Sequence, residues 1–227
     1  EVKNSIENQG KLTEELAAAI DAASTLAEVE DLYRPYKQKR RTRASIAREK
    51  GLEPLAAAIF AQDGQDPAIL AQAFIDPEKG VETIEDALAG ASDIIAEDLS
   101  DDAEIRKNLR ALINRRGSLV CKAEDPEKDS VYRLYYDFNT PISRLMDHQI
   151  LAMNRGEKEE FLKISVTLPG SEGAALVIRS ALKPTATVSA FVRAAAEDAY
   201  ERLIFPSLQR EVRSELSDRA YGGAIHN

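Results

Sequence analysis

Arg43-Ala-Ser-Ile-Ala-Arg-Glu-Lys-Gly-Leu-Glu-Pro-Leu-Ala-Ala-Ala-Ile-Phe-Ala-Gln62 reads as two very short helices turning a corner. Gly51 suits the left-handed residue that closes a helix ending at Lys50, Leu52 suits the apolar contact that accompanies such a cap, and Pro54 opens a second helix running to Gln62. The outline is that of a helix-turn-helix, a motif that can seat its second helix in a major groove. Here the second helix, Leu55-Ala-Ala-Ala-Ile-Phe60, is too apolar to read base edges, so the corner reads as a packing unit.

The flanks carry the same punctuation. Thr13 precedes the strong helix formers Glu14 to Ile20, and Thr25-Leu-Ala-Glu28 is a capping box before Val29, Leu32 and Tyr33, with Pro35 ending the element. Downstream, helices are predicted over 66–74 and 81–97. Another follows from Asp101-Asp-Ala-Glu104, with Ile105, Leu109, Leu112 and Ile113 on one stripe and Arg115-Arg116-Gly117 at its close. Short loops between short amphipathic helices define a bundle.

After Gly117 the pattern changes. Residues 118–123 and 161–168 are β-branched runs, the second alternating from 162 to 168, and they predict two strands in a small hairpin-like sheet. Residues 131–138 read as helix, as do 150–161 and 173–182. A run from 186 to about 218 holds Val188, Phe191, Val192, Ala195, Ala199, Leu203, Leu208 and Val212 at helical spacing, a single element of roughly 50 Å with a kink at Pro206. The expected fold is mainly α: a multi-helical bundle with a helix-turn-helix-like corner, a small two-stranded β element and a long C-terminal helix. Two domains are expected, 1–116 and 117–227.

Composition narrows the function classes. The chain has 227 residues, 44% of them apolar, enough to bury a core. No window approaches the roughly 18 apolar residues of a membrane span, and Glu1-Val2-Lys3-Asn4 lacks the apolar segment of a signal peptide, so a cytoplasmic protein with no membrane partner is expected. The single cysteine, Cys121, forms no internal disulfide and no multi-cysteine metal site. Because the sequence opens without methionine and stops directly after a helical pattern, a fragment of a longer protein is expected.

Against a net charge of -9, the stretch 34–50 holds eight Lys or Arg and one acid, so it carries +7 and the remaining chain -16. Screening acts over about 8 to 10 Å at physiological salt, so a nearby phosphate feels this cluster more than the distant acids. Lys37, Lys39, Arg40, Arg41 and Arg43 are the candidate phosphate contacts, with the Thr42 hydroxyl beside them. Tyr33 and Tyr36 suit either stacking on single-stranded bases or packing on neighbouring helices, and packing is the commoner use. The competing reading pairs the cations with the chain's surplus carboxylates.

No catalytic constellation emerges. His148, beside Asp147, has no nucleophile or second histidine near it and reads as a capping or core-hydrogen-bonding residue. The acids Asp93, Glu97, Asp98, Asp101, Asp102 and Glu104 lack calcium-loop spacing and read as caps and a solvated face. Gly170-Ser-Glu-Gly173 is too short to cradle a phosphate, and no nucleotide fingerprint occurs, so no cofactor, no metal and no enzymatic activity are expected.

The stretch 30–56, Glu-Asp-Leu-Tyr-Arg-Pro-Tyr-Lys-Gln-Lys-Arg-Arg-Thr-Arg-Ala-Ser-Ile-Ala-Arg-Glu-Lys-Gly-Leu-Glu-Pro-Leu-Ala, resembles the signature of the bacterial Tex family of transcription accessory proteins. Asp147-His-Gln-Ile-Leu-Ala-Met-Asn-Arg-Gly-Glu157 and Ala199-Tyr-Glu-Arg-Leu-Ile-Phe-Pro-Ser-Leu-Gln-Arg-Glu-Val-Arg-Ser-Glu-Leu216 are similar to two further segments of that family, so the resemblance spans essentially the whole chain. It implies an N-terminal helical region with the family's central helix, lacking the ribonuclease-H-like domain, the helix-hairpin-helix units and the C-terminal RNA-binding barrel. It also implies nucleic acid, RNA or DNA, as a partner, with RNA polymerase or other transcription machinery as a second. Where the family pattern has Ser-His-Arg, this chain reads Asp147-His148-Gln149, so no phosphate role passes to that third position. Together these readings predict a non-catalytic scaffold with one nucleic-acid-binding cationic patch, or a protein-interaction scaffold without nucleic-acid contact.

Overall fold

A computed structural model describes residues 1–37, 41–184 and 188–226. The chain is mainly helical: α1 (Val2–Asn8), α2 (Glu14–Ala22), α3 (Leu26–Tyr33), a 3-10 turn (Arg34–Tyr36), α4 (Arg43–Glu49), α5 (Glu53–Phe60), α6 (Pro67–Gln72), α7 (Ile84–Ser100) and α8 (Ala103–Arg116). Then come β1 (Ser118–Ala123), β2 (Asp137–Pro141), α9 (Asp147–Lys158), β3 (Leu162–Thr167), α10 (Glu172–Ala181), α11 (Ala190–Asp198), a π-helical turn (Ala199–Ile204) and α12 (Phe205–His226). Contacts group the chain into two units, Glu1–Lys107 with Ala174–Ile204, and Asn108–Gly173 with the chain from Phe205 onward. This grouping divides the chain within α8 and places residues 174–204 with the first unit.

In the first unit α7 is the spine against which α4, α5, α6 and α11 pack. Thr83 caps it by accepting from the Asp86 amide at 3.1 Å, and its inner face is built largely from alanine and isoleucine, with Ala87, Ala91, Ile94 and Ile95 buried. Small residues let the α4–α5 corner approach closely: a Cβ on Gly90 would lie 2.3 Å from Leu52 Cδ1. At the corner Gly51 takes φ +77°, the Leu52 amide reaches back to the Ala47 carbonyl, and the Leu52 side chain is buried. Full burial of a leucine of this kind contributes about 1.5 to 3 kcal/mol.

In the second unit β1 is the centre of a three-stranded antiparallel sheet ordered β2-β1-β3, with Cys121 opposite Phe138 on one side and Ile164 on the other. The sequence predicted two strands and a helix over 131–138; the structure instead gives a single 3-10 turn at Arg133–Tyr135 followed by β2. Asp137-Phe-Asn-Thr-Pro141 has one large apolar side chain, which suffices for an edge strand, and Pro141 at its end is tolerated there. Helix α9 packs on β3 and α12. Gly156 permits this, since a Cβ there would come within 2.4 Å of Leu162 Cδ1.

The long C-terminal helix expected from the sequence is present, and the structure refines its course. Residues 185–187 lie outside the described residues, Ser189 caps α11, and the chain passes through the π turn before α12 continues to His226. Pro206 has no amide hydrogen for the carbonyl four residues earlier, and the widened turn directly precedes it. Among the described residues no helix is long and apolar enough to cross a membrane.

Candidate nucleic-acid interface

The segment from α3 to α4 is fixed at both ends by local chemistry. The Tyr33 hydroxyl lies 3.0 Å from Ser5 Oγ on α1, and the Gln9 amide donates to the Tyr36 carbonyl at 2.6 Å, so both tyrosines are engaged with the first helix and its end. At the other end Thr42 caps α4: its Oγ1 accepts from the Ser45 amide at 3.0 Å while Ser45 Oγ accepts from the Thr42 amide at 2.7 Å. The Thr42 hydroxyl hydrogen is directed to Glu97 Oε2 at 2.8 Å. Thr42 therefore orients the loop rather than presenting an unused donor.

The cations of 34–50 divide into two groups. Arg34 Nε lies 3.1 Å from Asp101 Oδ1, and Arg48 reaches Asp98 at 2.7 Å, Glu97 at 3.3 Å and Glu53 at 3.7 Å. Lys37, Arg41 and Arg43 are exposed. Arg41 meets the solvated Glu49 at 3.5 Å, a pairing of small energetic weight at a site this open. Lys39 and Arg40 lie outside the described residues.

Of the acids that the sequence offered as caps and a solvated face, Asp102 caps α8 by accepting from the Ile105 amide at 2.9 Å, while Glu97, Asp98 and Asp101 form a counter-surface for these arginines. Positions 93, 97 and 98 recur at helical spacing on α7, with Asp101 at its C-cap, which was the available signal, but nothing local says which cations they meet. Asp93 faces Arg202 at 3.8 Å; burial raises its pKa, while the positive charges of Arg202 and Arg43 act in the opposite direction. Arg202 itself is held by Asp198 at 2.9 Å. Among the described residues no group of three His, Cys, Asp or Glu is placed to hold a metal.

The other sequence candidates fall in the second unit. His148 is exposed on the first turn of α9, not in a core, and Gln149 makes the cap by accepting from the Met146 amide at 3.0 Å. Glu157 and Asn154 of the same helix bind Arg213 of α12, Glu157 in a two-toothed pair at 2.8 and 2.9 Å. Cys121 is buried, and burial, with the nearby Glu157 carboxylate adding to it, pushes its thiol pKa up to about 11.

These features define a helical region with a charged surface loop anchored on an acid-faced helix. The family described as Tex central region-like matches residues 62–226, and the chain belongs to the Tex family. It is 43% identical over 231 residues to the uncharacterized protein YdcI of Bacillus subtilis, covering 100% of this chain and 32% of that protein. Protein tex of Bordetella pertussis is 45% identical over 169 residues, covering 74% of this chain and 21% of that protein. The transcriptional accessory protein Tex of Neisseria gonorrhoeae is 37% identical over 168 residues, covering 73% and 22%. The chain thus spans a third or less of the length of these relatives.

Proposed function

We propose that this chain is a non-catalytic helical scaffold of a transcription accessory protein, and that its cationic loop contributes to nucleic-acid binding. The name of the Neisseria relative supports the transcriptional setting. One observation carries the binding role: Arg34 and Arg48 are matched by carboxylates of α7 and of its C-cap residue Asp101, whereas Lys37, Arg41 and Arg43 are exposed, Arg41 beside the equally solvated Glu49. Positive charge in solvent at a loop fixed by two anchors is the arrangement that meets a phosphate backbone, with Lys39 and Arg40 of the same segment adding to it. Thr42 acts here as the residue that holds the loop.

The test is a titration of labelled RNA and duplex DNA against the chain and a variant with Lys37, Lys39, Arg40, Arg41 and Arg43 replaced by alanine, across a salt series. Each phosphate contact contributes a slope of about -0.9 in log K against log salt on duplex and about -0.7 on single strands. The variant is expected to bind more weakly with a shallower slope; equal affinity and equal slope would reject the reading. A second reading, a protein-interaction scaffold within the transcription machinery, draws on the internal pairing of Arg34 and Arg48, and it is the reading left standing by that negative result.

A further inference from the structure

Of the eight Lys and Arg residues in 34–50, Lys50 belongs neither to the loop nor to the arginines held by carboxylates. It closes α4, directly before Gly51, and its side chain lies along a second turn, the 3-10 turn Pro77–Lys79 with Gly80 after it. The two turns face each other reciprocally. A Cβ on Gly80 would lie 3.4 Å from Lys50 Cε and 3.8 Å from Lys50 Nζ, and a Cβ on Gly51 would lie 3.4 Å from Lys79 Nζ. Each ammonium group therefore rests over the glycine that follows the other lysine.

Both turns are fixed in place. Gly51 and Gly80 take φ +77° and +83°, and their amides donate back to the Arg48 and Pro77 carbonyls at 2.9 and 3.1 Å. Each is followed by an aliphatic anchor, Leu52 or Val81, at 1% and 0% exposure. Two like charges held together repel, and in an acidic chain each would be expected to have drawn a carboxylate. Among the described residues neither amine has a hydrogen bond or an ion pair. The neighbouring acids are turned elsewhere: Glu49 lies 3.5 Å from Arg41, Glu53 3.7 Å from Arg48, and Asp76 accepts from the Glu78 amide at 3.2 Å. Lys79 is exposed and Lys50 half-buried, so both amines can be reached from solvent.

We propose that Lys50 and Lys79 form a two-lysine clamp for a phosphate of bound nucleic acid. The clamp rests on the reading that this region meets nucleic acid, and it extends the surface from the loop along α4. Arg43 and Lys50 are seven residues apart, so two helical turns bring them to the same side of α4 with a rise of about 10 Å between them. That is the axial length of roughly three nucleotides of one duplex strand, a spacing at which loop and clamp take phosphates of the same strand. Lysine suits the task, because a compact charge with three donors on a flexible stem meets a phosphate without reading a base.

The test pairs a salt-series titration of labelled RNA and duplex DNA with lysine acylation footprinting read by mass spectrometry. It compares the chain, Lys50→Gln/Lys79→Gln and Lys11→Gln/Lys107→Gln. Lys11 and Lys107 are exposed and also lack an ion pair among the described residues, so both double variants remove the same charge, and glutamine keeps a good helix former. The clamp variant is expected to bind at least about fivefold more weakly at low salt, with a slope shallower by one to two contacts at about 0.9 each on duplex or about 0.7 on single strands. The control pair is expected to change affinity by less than about twofold and to keep its slope. Bound nucleic acid is expected to protect Lys50 and Lys79 from acylation and to leave Lys11 and Lys107 reactive. Equal effects of the two double variants, or unprotected Lys50 and Lys79 in a chain that binds, overturns the clamp. If replacing Lys37, Arg41 and Arg43 leaves binding unchanged while Lys50 and Lys79 are protected, the loop reading fails and the clamp stands; a chain that binds neither nucleic acid at low salt overturns both.

Discussion

Arginines at the α9–α12 packing and arginines around α4 meet their surroundings differently. In the first place Arg213 is gripped by Glu157 and Asn154, Arg219 reaches the Leu145 carbonyl at 3.2 Å and Asp147 at 3.4 Å, and Arg110 meets Glu211 at 3.0 Å. In the second, Arg34 and Arg48 are held by α7 while Lys37, Arg41 and Arg43 face water. Cationic density alone therefore does not mark an interface. On the reading proposed above, what marks it is positive charge that stays exposed to solvent.

The largest effect expected from disturbing this contrast lies on the matched side. Gly156→Ala places a methyl against Leu162 where no room exists, and overpacking of this kind costs about 1 to 3 kcal/mol, visible as a lower urea midpoint. Arg213→Ala comes next, at about 1 to 2 kcal/mol, because it strips two acceptors on α9 of a partly exposed charged partner. A double-mutant cycle with Glu157→Gln should recover most of that loss as coupling between the two positions, and additive effects would break the account of the α9–α12 interface.

These two sites also show what the sequence could convey. Caps were legible because they are local: Thr13 and Thr25 each accept from the amide three residues on. The corner at Gly51 was legible for the same reason. Strand β2 was not, because an edge strand with one buried-side aromatic carries no alternating pattern strong enough to compete with helical residues around it. Pro206 marked the neighbourhood of an irregularity, but the π turn at Ala199–Ile204 was not legible, since a missing amide says where the ladder fails and not how it is rewound. The pairing of Arg48 with Glu97 spans 49 positions, and no local pattern encodes it. The candidate loop was therefore visible as charge, while its division into matched and open cations required the fold.

A third expectation is pH-dependent. The Cys121 thiol is raised from 9.0 to about 11 in the fold, so the folded state holds its proton where the unfolded chain releases it. Stability from this group is complete below about pH 9 and declines as pH rises through the folded value. Cys121→Ala should flatten that alkaline decline in denaturant titrations, and an unchanged slope would show that the thiol is not its source. The smallest change expected in stability belongs to the open cations: replacing Lys37, Arg41 and Arg43 with alanine should move the unfolding free energy by no more than about 0.5 kcal/mol.

The central claim is that open cations bind phosphate and matched ones hold the fold, and it is tested most directly by comparing salt slopes. RNA and duplex DNA affinities are measured from low to physiological salt for the chain, for Lys37→Ala/Arg41→Ala/Arg43→Ala, and for Arg34→Ala/Arg48→Ala. The account predicts that the first variant keeps its stability and loses about two to three contacts' worth of slope, while the second loses stability and, where still folded, keeps its slope. Identical slopes for the chain and the open-cation variant, or an equal loss in both variants, would contradict it.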